Sequence, residues 1–204
     1  MAAPPKTVLT VTPQEEADIR VAVRTADPAT LGSGRVLATE DHTAAVLDLL
    51  ADPVVSEPIY ALPRPLTHGS VGGWIRECEE QRLRGECLLI LNMFAPDVVS
   101  GYSKITVWPD RSAAELGGAM RANLQGAGAG GAGAAHTIGW IFEQLGVRLI
   151  CLTAALDNVR SAKLIDRMGF KRQGERDSQR PDGSIRRSIY WELRADEWAA
   201  LTGR

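Results

Sequence analysis

The sequence has few cysteines, and their spacing excludes two common uses of this residue. Three occur, Cys78, Cys87 and Cys151, and no two of them form a CxxC pair. Neither a zinc site nor a disulfide framework is predicted, and no other pattern indicates a metal. Cys151 lies within an apolar run and is expected to be a small core residue. A reducing cytoplasm fits this cysteine content best.

An excess of charge and long apolar runs are also missing. The formal net charge is -2 at pH 7, so neither a nucleic-acid-binding surface nor an acidic tail is predicted. The apolar runs fall well short of the roughly 20 residues that span a bilayer. The opening M-A-A-P-P-K-T lacks the pattern of a signal peptide. These absences predict a soluble cytoplasmic protein without nucleic-acid or membrane partners.

The length and apolar content favour one domain with a real core. The chain has 204 residues, of which 45% are hydrophobic. Residues 35–204 are predicted to form this domain, and residues 1–34 an N-terminal extension. Within the extension, Val8–Val11 and Ile19–Val23 alternate like short strands. An extra hairpin, an ordered arm and a frayed leader all remain open for this part.

From residue 35 onward the pattern predicts the element order β-α-α-β-β-β-α-β-α-β-β. A strand at Arg35–Ala38 precedes a helix capped by Thr39 and stopped by Pro53, and a second helix runs over 70–84 until Gly85 ends it. The strand signals at 87–93, 98–108 and 115–120 follow in series and predict an antiparallel meander.

A glycine-rich stretch, G-A-G-A-G-G-A-G over 126–133, separates this meander from a helical pattern. A strand, a glycine turn and a helix form an anion site, because the first N–H groups of a helix are unpaired. A P-loop is excluded, since no Lys-Ser or Lys-Thr follows. The dinucleotide spacing G-x-G-x-x-G does occur, but that fold requires parallel strands and an acid after the second one, and C-L-T-A stands there instead.

A third pattern matches better and carries a family resemblance. Gln125-Gly126-Ala127-Gly128-Ala129-Gly130 resembles [QR]-x-x-G-x-[GA], the acetyl-CoA pyrophosphate loop of the GNAT superfamily. Downstream, Asn158 to Phe170 resembles N-x-x-S-x-x-[LI]-[LI]-x-[KR]-x-G-F, found in the branch of the ribosomal-protein N-terminal acetyltransferases. The resemblance extends from about residue 35 to about 198 and rests on two separated motifs in the right order.

The resemblance implies an α/β (α+β) fold with a mixed, mostly antiparallel twisted sheet of about seven strands and helices on both of its faces. It also implies that the sheet is splayed between strands four and five. The cosubstrate implied is acetyl-CoA, without a metal. Its pyrophosphate would lie on the loop from Gly126 to Gly131. Its pantetheine arm would pair with the backbone of Ala119, Met120 and Arg121 and contact Asn158.

Two residues are candidates for the chemistry. Many relatives carry a Tyr where this sequence has Ile165, which leaves Ser161 to stabilise or protonate the departing thiolate. Glu115, at the start of the splayed strand, is the candidate base for the acceptor amine, and His68 is the alternative. Small residues at Gly118 and Ala119, where the branch commonly has aromatics, predict a wider acceptor pocket.

The predicted function is acetyl transfer to a primary amine, either of a protein N-terminus or of a small molecule. The alternative is a non-catalytic acyl-CoA-binding module, and the absence of the usual Tyr favours it. A homodimer is a further expectation, because dimers are frequent in the family and residues 1–34 are candidates for an interface. Tyr60, Tyr102, Trp74 and Trp108 are candidate acceptor-site residues.

Overall fold

A seven-stranded sheet forms the centre of the molecule in the computed structural model, which describes residues 4–125, 129–180 and 183–203. The spatial order is β1-β2-β3-β4-β5-β7-β6. The strands are β1 (Arg35–Leu37), β2 (Cys87–Ala95), β3 (Val98–Trp108), β4 (Ala113–Met120), β5 (Leu149–Ala155), β6 (Lys171–Gln179) and β7 (Ile185–Arg194). Only β4 and β5 run parallel, and the other neighbours are antiparallel, which confirms the predicted mixed sheet.

Helices cover both faces of this sheet. They are α1 (Pro13–Thr25), α2 (Thr43–Leu50), α3 (Pro53–Ser56), α4 (His68–Leu83), α5 (Ala129–Leu145), α6 (Val159–Arg167) and α7 (Ala195–Thr202). Gly85 follows α4 with a φ of 78°, a left-handed conformation that favours glycine, and its predicted role in ending this helix is confirmed. None of the helices in the described ranges is long and apolar enough to cross a membrane.

The strand prediction for the N-terminal part was wrong. Residues Ile19–Val23 lie in α1, and Val8–Val11 form no regular element. The side chain of Thr12 caps this helix by accepting from the Glu15 N–H, and Pro13 occupies its first turn. Ile19 and Val23 are four residues apart, so they share one helix face, which buries them in the core.

The two faces of the sheet pack against different helices. On one face, buried residues of β5 such as Ile150 and Leu152 join α1, α5 and α6 in one core cluster. On the other face, Leu89, Tyr102 and partly buried Ala119 join α2 and α4 in a second cluster. Because side chains alternate along a strand, Glu115 and Gly117 share the face of Ala119.

The two parallel strands separate after a short paired stretch. Pairing runs from Ala113↔Leu149 to Glu115↔Cys151 and then stops. Beyond that point β4 continues to Met120, still paired with β3, and β5 continues to Ala155, still paired with β7. The predicted splay between strands four and five is therefore present, and Glu115 lies at its closed end.

Candidate active site

The splay leaves one backbone edge of β4 without a neighbouring strand. From Leu116 to Met120 this strand is bonded to β3 on one side and to no described strand on the other. Unpaired N–H and C=O groups on a strand edge can bond an extended ligand as an added strand would. The opening therefore offers backbone hydrogen-bonding groups to an extended chain such as pantetheine.

The residues predicted to contact pantetheine differ in whether their backbone N–H and C=O groups already have hydrogen-bond partners. Arg121 uses both of its own: its N–H donates to the Ser100 carbonyl and its carbonyl accepts from Leu124 N–H. The carbonyl of Met120 accepts from Gln125 Nε2 at 2.8 Å. The Arg121 side chain extends away from the opening and bonds Asp48 and the Val99 carbonyl. Ala119 lies on the open stretch of β4.

The glycine loop leads into α5 as predicted. Its residues Gly126, Ala127 and Gly128 lie outside the described residues. The helix begins at Ala129, so the N–H groups of its first turn, including those of Gly130 and Gly131, have no partner within the helix. A Cβ on Gly131 would approach Leu164 Cδ1 to 3.0 Å, so glycine permits the close packing of α5 against α6 here.

Gln125 bridges the two sides of the opening, and its partner Arg160 was missed at the sequence level. Gln125 Nε2 donates to the end of β4, and Arg160 Nη1 of α6 donates to Gln125 Oε1 at 2.8 Å. Arg160 occupies a variable position of the N-x-x-S motif, so no pattern drew attention to it. The exposed guanidinium lies beside the loop predicted to bind a pyrophosphate.

Asn158 and Ser161 form the start of α6. Asn158 is the N-cap, and its Oδ1 accepts from the Ser161 N–H at 3.1 Å. The Asn158 amide N–H₂ and the Ser161 hydroxyl make no hydrogen bond among the described residues, so both remain available to a ligand. Ile165, where many relatives have Tyr, is 6% exposed in the core and offers no hydroxyl.

Glu115 is a buried carboxyl group with a single hydroxyl partner among the described side chains. Only 8% of the residue is exposed, and Oε1 accepts from Thr153 Oγ1 of β5 at 3.1 Å. The Thr153 hydroxyl also interacts with the Tyr60 phenol. The Arg186 guanidinium stacks on the Tyr60 ring at 4.5 Å. A carboxyl, a hydroxyl and a phenol thus follow one another at the closed end of the splay.

Burial sets the ionisation behaviour of this group. It raises the pKa of Glu115, while the Thr153 hydrogen bond and the charges of Arg176 and Lys104 act in the lowering direction. Burial and the Glu115 charge also raise the pKa of Tyr60 to about 12. A carboxylate with a raised pKa is a stronger base than an exposed one, which suits proton abstraction near neutral pH.

The two candidate catalytic residues approach the opening from opposite faces. Ala162 and Ile165 pack α6 into the cluster shared with α5, whereas Glu115 faces the side of α2 and α4. No hydrogen bond joins Glu115 to Ser161 in the described part of the chain. A ligand in the opening would therefore have Ser161 on one side and Glu115 on the other.

The other candidate acceptor-site residues lie at different distances from the opening. Tyr102 and Trp74 pack edge to face, with ring centroids 5.5 Å apart, on the face of Glu115. Trp108 pairs with Ala113 at the end of β4 farthest from the opening, so it is excluded from the acceptor site. His68 is the exposed first residue of α4 and makes no contact with Glu115 or Thr153.

A mixed sheet that opens between two parallel strands, with a glycine loop and a helix start beside the opening, is the architecture implied for an acetyltransferase. The family model described as Acetyltransferase (GNAT) domain matches residues 35–171, and the chain belongs to this family. No curated protein sequence is similar enough to count as a match. No group of three or more His, Cys, Asp or Glu side chains in the described ranges is arranged to hold a metal.

Solved structures share this fold at low sequence identity. Ribosomal-protein-S5-alanine acetyltransferase from Vibrio fischeri is 16% identical with a TM-score of 0.66, over 80% of this chain and 93% of the other. RimJ from Mycobacterium smegmatis, solved with CoA-disulfide, is 17% identical with a TM-score of 0.67, over 83% and 88%. RimL, a ribosomal L7/L12 alpha-N-protein acetyltransferase solved with coenzyme A, is 16% identical with a TM-score of 0.67, over 82% and 97%. The branch suggested by the second motif is represented among them.

Proposed function

We propose that the protein transfers the acetyl group of acetyl-CoA to a primary amine by direct attack in a ternary complex. The observation that carries this proposal is the position of Glu115, a buried carboxyl at the closed end of an unpaired strand edge. A binding module needs the edge and the helix start, but it has no use for a desolvated carboxyl there. Such a group costs stability when ionised and is explained by proton transfer.

The chain's residues divide the chemistry as follows. The amine nitrogen bonds to the acetyl carbonyl carbon as the carbon–sulfur bond breaks. Glu115 takes the proton that the amine loses, directly or through water. A free N–H on the open edge of β4 stabilises the charge that develops on the carbonyl oxygen. Ser161 donates to the departing sulfur from the other face, since Ile165 cannot.

Acetyl-CoA itself would be held by residues on the CoA side of the opening. The first-turn N–H groups of α5 and the Arg160 guanidinium are suited to the pyrophosphate. The open edge at Ala119 and the Asn158 amide are suited to the pantetheine arm.

The acceptor is a protein N-terminus or a small amine. The structures named above as acetyltransferases of ribosomal proteins favour a protein acceptor, and the three free, buried cysteines favour a reducing cytoplasm.

Calorimetric titration with acetyl-CoA, with NAD as the control ligand, tests the cosubstrate. Micromolar binding of acetyl-CoA alone is expected. Arg160→Ala is expected to raise the Kd about tenfold, which corresponds to about 1.4 kcal/mol. Lys163→Ala, which removes an exposed cation one turn along α6, is the matched control and should leave the Kd unchanged. Absence of acetyl-CoA binding would remove the basis of the proposal.

Replacement of Ser161 by Ala is expected to lower kcat about ten- to a hundredfold, because the thiolate then leaves without its proton donor. The Kd of acetyl-CoA should change little, since the backbone N–H of residue 161 still bonds Asn158. Thiol release measured across pH gives the comparison with wild type. Full kcat at every pH would show that water or the backbone performs this step. Binding without thiol release for any amine would instead favour the non-catalytic module.

A further inference from the structure

A small cavity lies on the face of the sheet to which Glu115 points. It has a volume of about 50 Å³, more than the roughly 15 Å³ that one water requires. Its lining includes Ile59, Leu62, Trp74, Tyr102, Lys104 and Gly117. Gly117 lies two residues beyond Glu115 on the same face of β4, and a Cβ built on it would meet nothing within 4 Å. The cavity thus begins two residues along β4 from the candidate base and is open above Gly117.

Lys104 is the charged residue of this lining, and its charge acts on Glu115 without a direct ion pair between them in the part of the chain that the structure describes. It lies opposite Gly117 on the neighbouring strand, so its side chain shares the face of Glu115. Its ammonium group makes no hydrogen bond or ion pair among the described residues, and Glu115 bonds Thr153 instead. The Lys104 side chain is partly buried while its ammonium group keeps access to solvent, so this charge is available to an anionic ligand.

A second unpaired donor belongs to the same cavity. The indole N–H of Trp74 is buried and has no partner among the described residues. Two further cations stand near Glu115: Arg186 on the Tyr60 ring and Arg176 on the Tyr190 ring, each at 4.5 Å. Asp157 acts on Arg186 and Glu192 bonds Tyr190 beneath Arg176, so these two arginines already face carboxylates. Lys104 and Trp74 are therefore the lining residues of the cavity with donors left for an anionic group.

We propose that the amine acceptor carries a carboxylate close to its reactive amine, and that Lys104 and the Trp74 N–H bind this carboxylate in the cavity. The inference rests on the proposed function and specifies the chemistry of its acceptor. Two sources supply this chemistry: the α-carboxylate of a free amino acid, and the side chain of an N-terminal Asp or Glu in a peptide. With the acid bound over Gly117, the neighbouring amine would lie within reach of Glu115.

Matched acceptor pairs test this assignment by thiol release from acetyl-CoA. One arm compares free amino acids with their α-amides, and the other compares tetrapeptides that begin with Asp or Asn. Wild type is expected to show at least about tenfold higher kcat/KM for the acidic member of one arm, mostly through KM. The arm that shows the preference identifies the source of the carboxylate.

Variants of Lys104 decide whether this residue is responsible. Lys104→Met should reduce the acidic-to-neutral ratio toward one, and Lys104→Arg should retain most of it. Lys163→Met removes an exposed cation elsewhere and should leave the ratio unchanged, while acetyl-CoA titration confirms that each variant is folded. Acetylation without preference for acidic acceptors, or a ratio that survives Lys104→Met, would overturn the inference and leave the proposed function intact. No acetylation of any acceptor would overturn both.

Discussion

Replacement of Glu115 by Gln is expected to lower kcat by about 10²–10⁴-fold, because the amide cannot accept the proton of the acceptor amine. Gln keeps the size of the side chain and can still accept from Thr153, so binding of acetyl-CoA should remain. Glu57→Gln changes an exposed carboxylate in the loop before Tyr60 and is the matched control. Retention of wild-type kcat in Glu115→Gln would transfer the role of base to another group or to water.

The raised pKa of Glu115 adds a pH signature to this variant. Wild-type kcat should fall as the pH decreases through the raised pKa, above the ordinary value of about 4.3 for Glu. Burial favours the protonated form of Glu115. The contribution of this form to the free energy of unfolding is therefore fully present below the ordinary pKa of Glu, and it is lost as the pH rises through the raised pKa of Glu115. Glu115→Gln should therefore have a higher Tm than wild type near neutral pH, with a smaller difference in acid.

Replacement of Glu192 by Ala is expected to cost about 3–5 kcal/mol of stability, because four donors lose their acceptor at about 1 kcal/mol each. Glu192 is 3% exposed on β7. Its carboxylate accepts from the N–H groups of Lys6 and Thr7 at 2.8 and 3.1 Å, from Thr7 Oγ1 at 2.5 Å and from the Tyr190 hydroxyl at 2.9 Å.

Denaturant unfolding measures this effect directly. Thr7→Ala, which removes one of the four hydrogen bonds, should cost about 1 kcal/mol. Glu80→Ala removes an exposed carboxylate from α4 and should change stability by less than about 0.5 kcal/mol. If Glu192→Ala were no less stable than Glu80→Ala, the segment before α1 would not be held to the sheet in the way the structure shows.

Local patterns predicted the strands and helices because glycines, prolines and alternation mark where elements start and stop, whereas the splay was implied by the family resemblance. The strand after residue 85, the meander and the helix ending at Gly85 all follow from such short-range signals. The error at Ile19–Val23 has the same origin. Over five residues, an apolar pair spaced by four fits a strand face and a helix face equally, and only the Thr12–Pro13 start of α1 distinguishes them.

The site was predictable only where a motif marks it. Asn158, Ser161 and Gln125 were implied by motifs that resemble those of the family, and Glu115 was chosen for its place on the strand that the resemblance implies is splayed. The partners that define their environment come from far along the chain: Thr153 bonds Glu115 across 38 residues, and Arg160 bonds Gln125 across 35. Such contacts depend on strand order and on packing between elements, so no local pattern contains them.

The hydrogen bonds between Glu192 and the segment of Lys6 and Thr7 have a consequence for biosynthesis. Lys6 precedes its partner by 186 residues, a delay of about 10–40 s at ordinary rates of translation. Until β7 has left the ribosome, the segment before α1 cannot close over the sheet. Glu192, in turn, can enter the interior only as that closure occurs. The segment of Lys6 and Thr7 and the strand β7 should therefore gain protection together, at the end of folding.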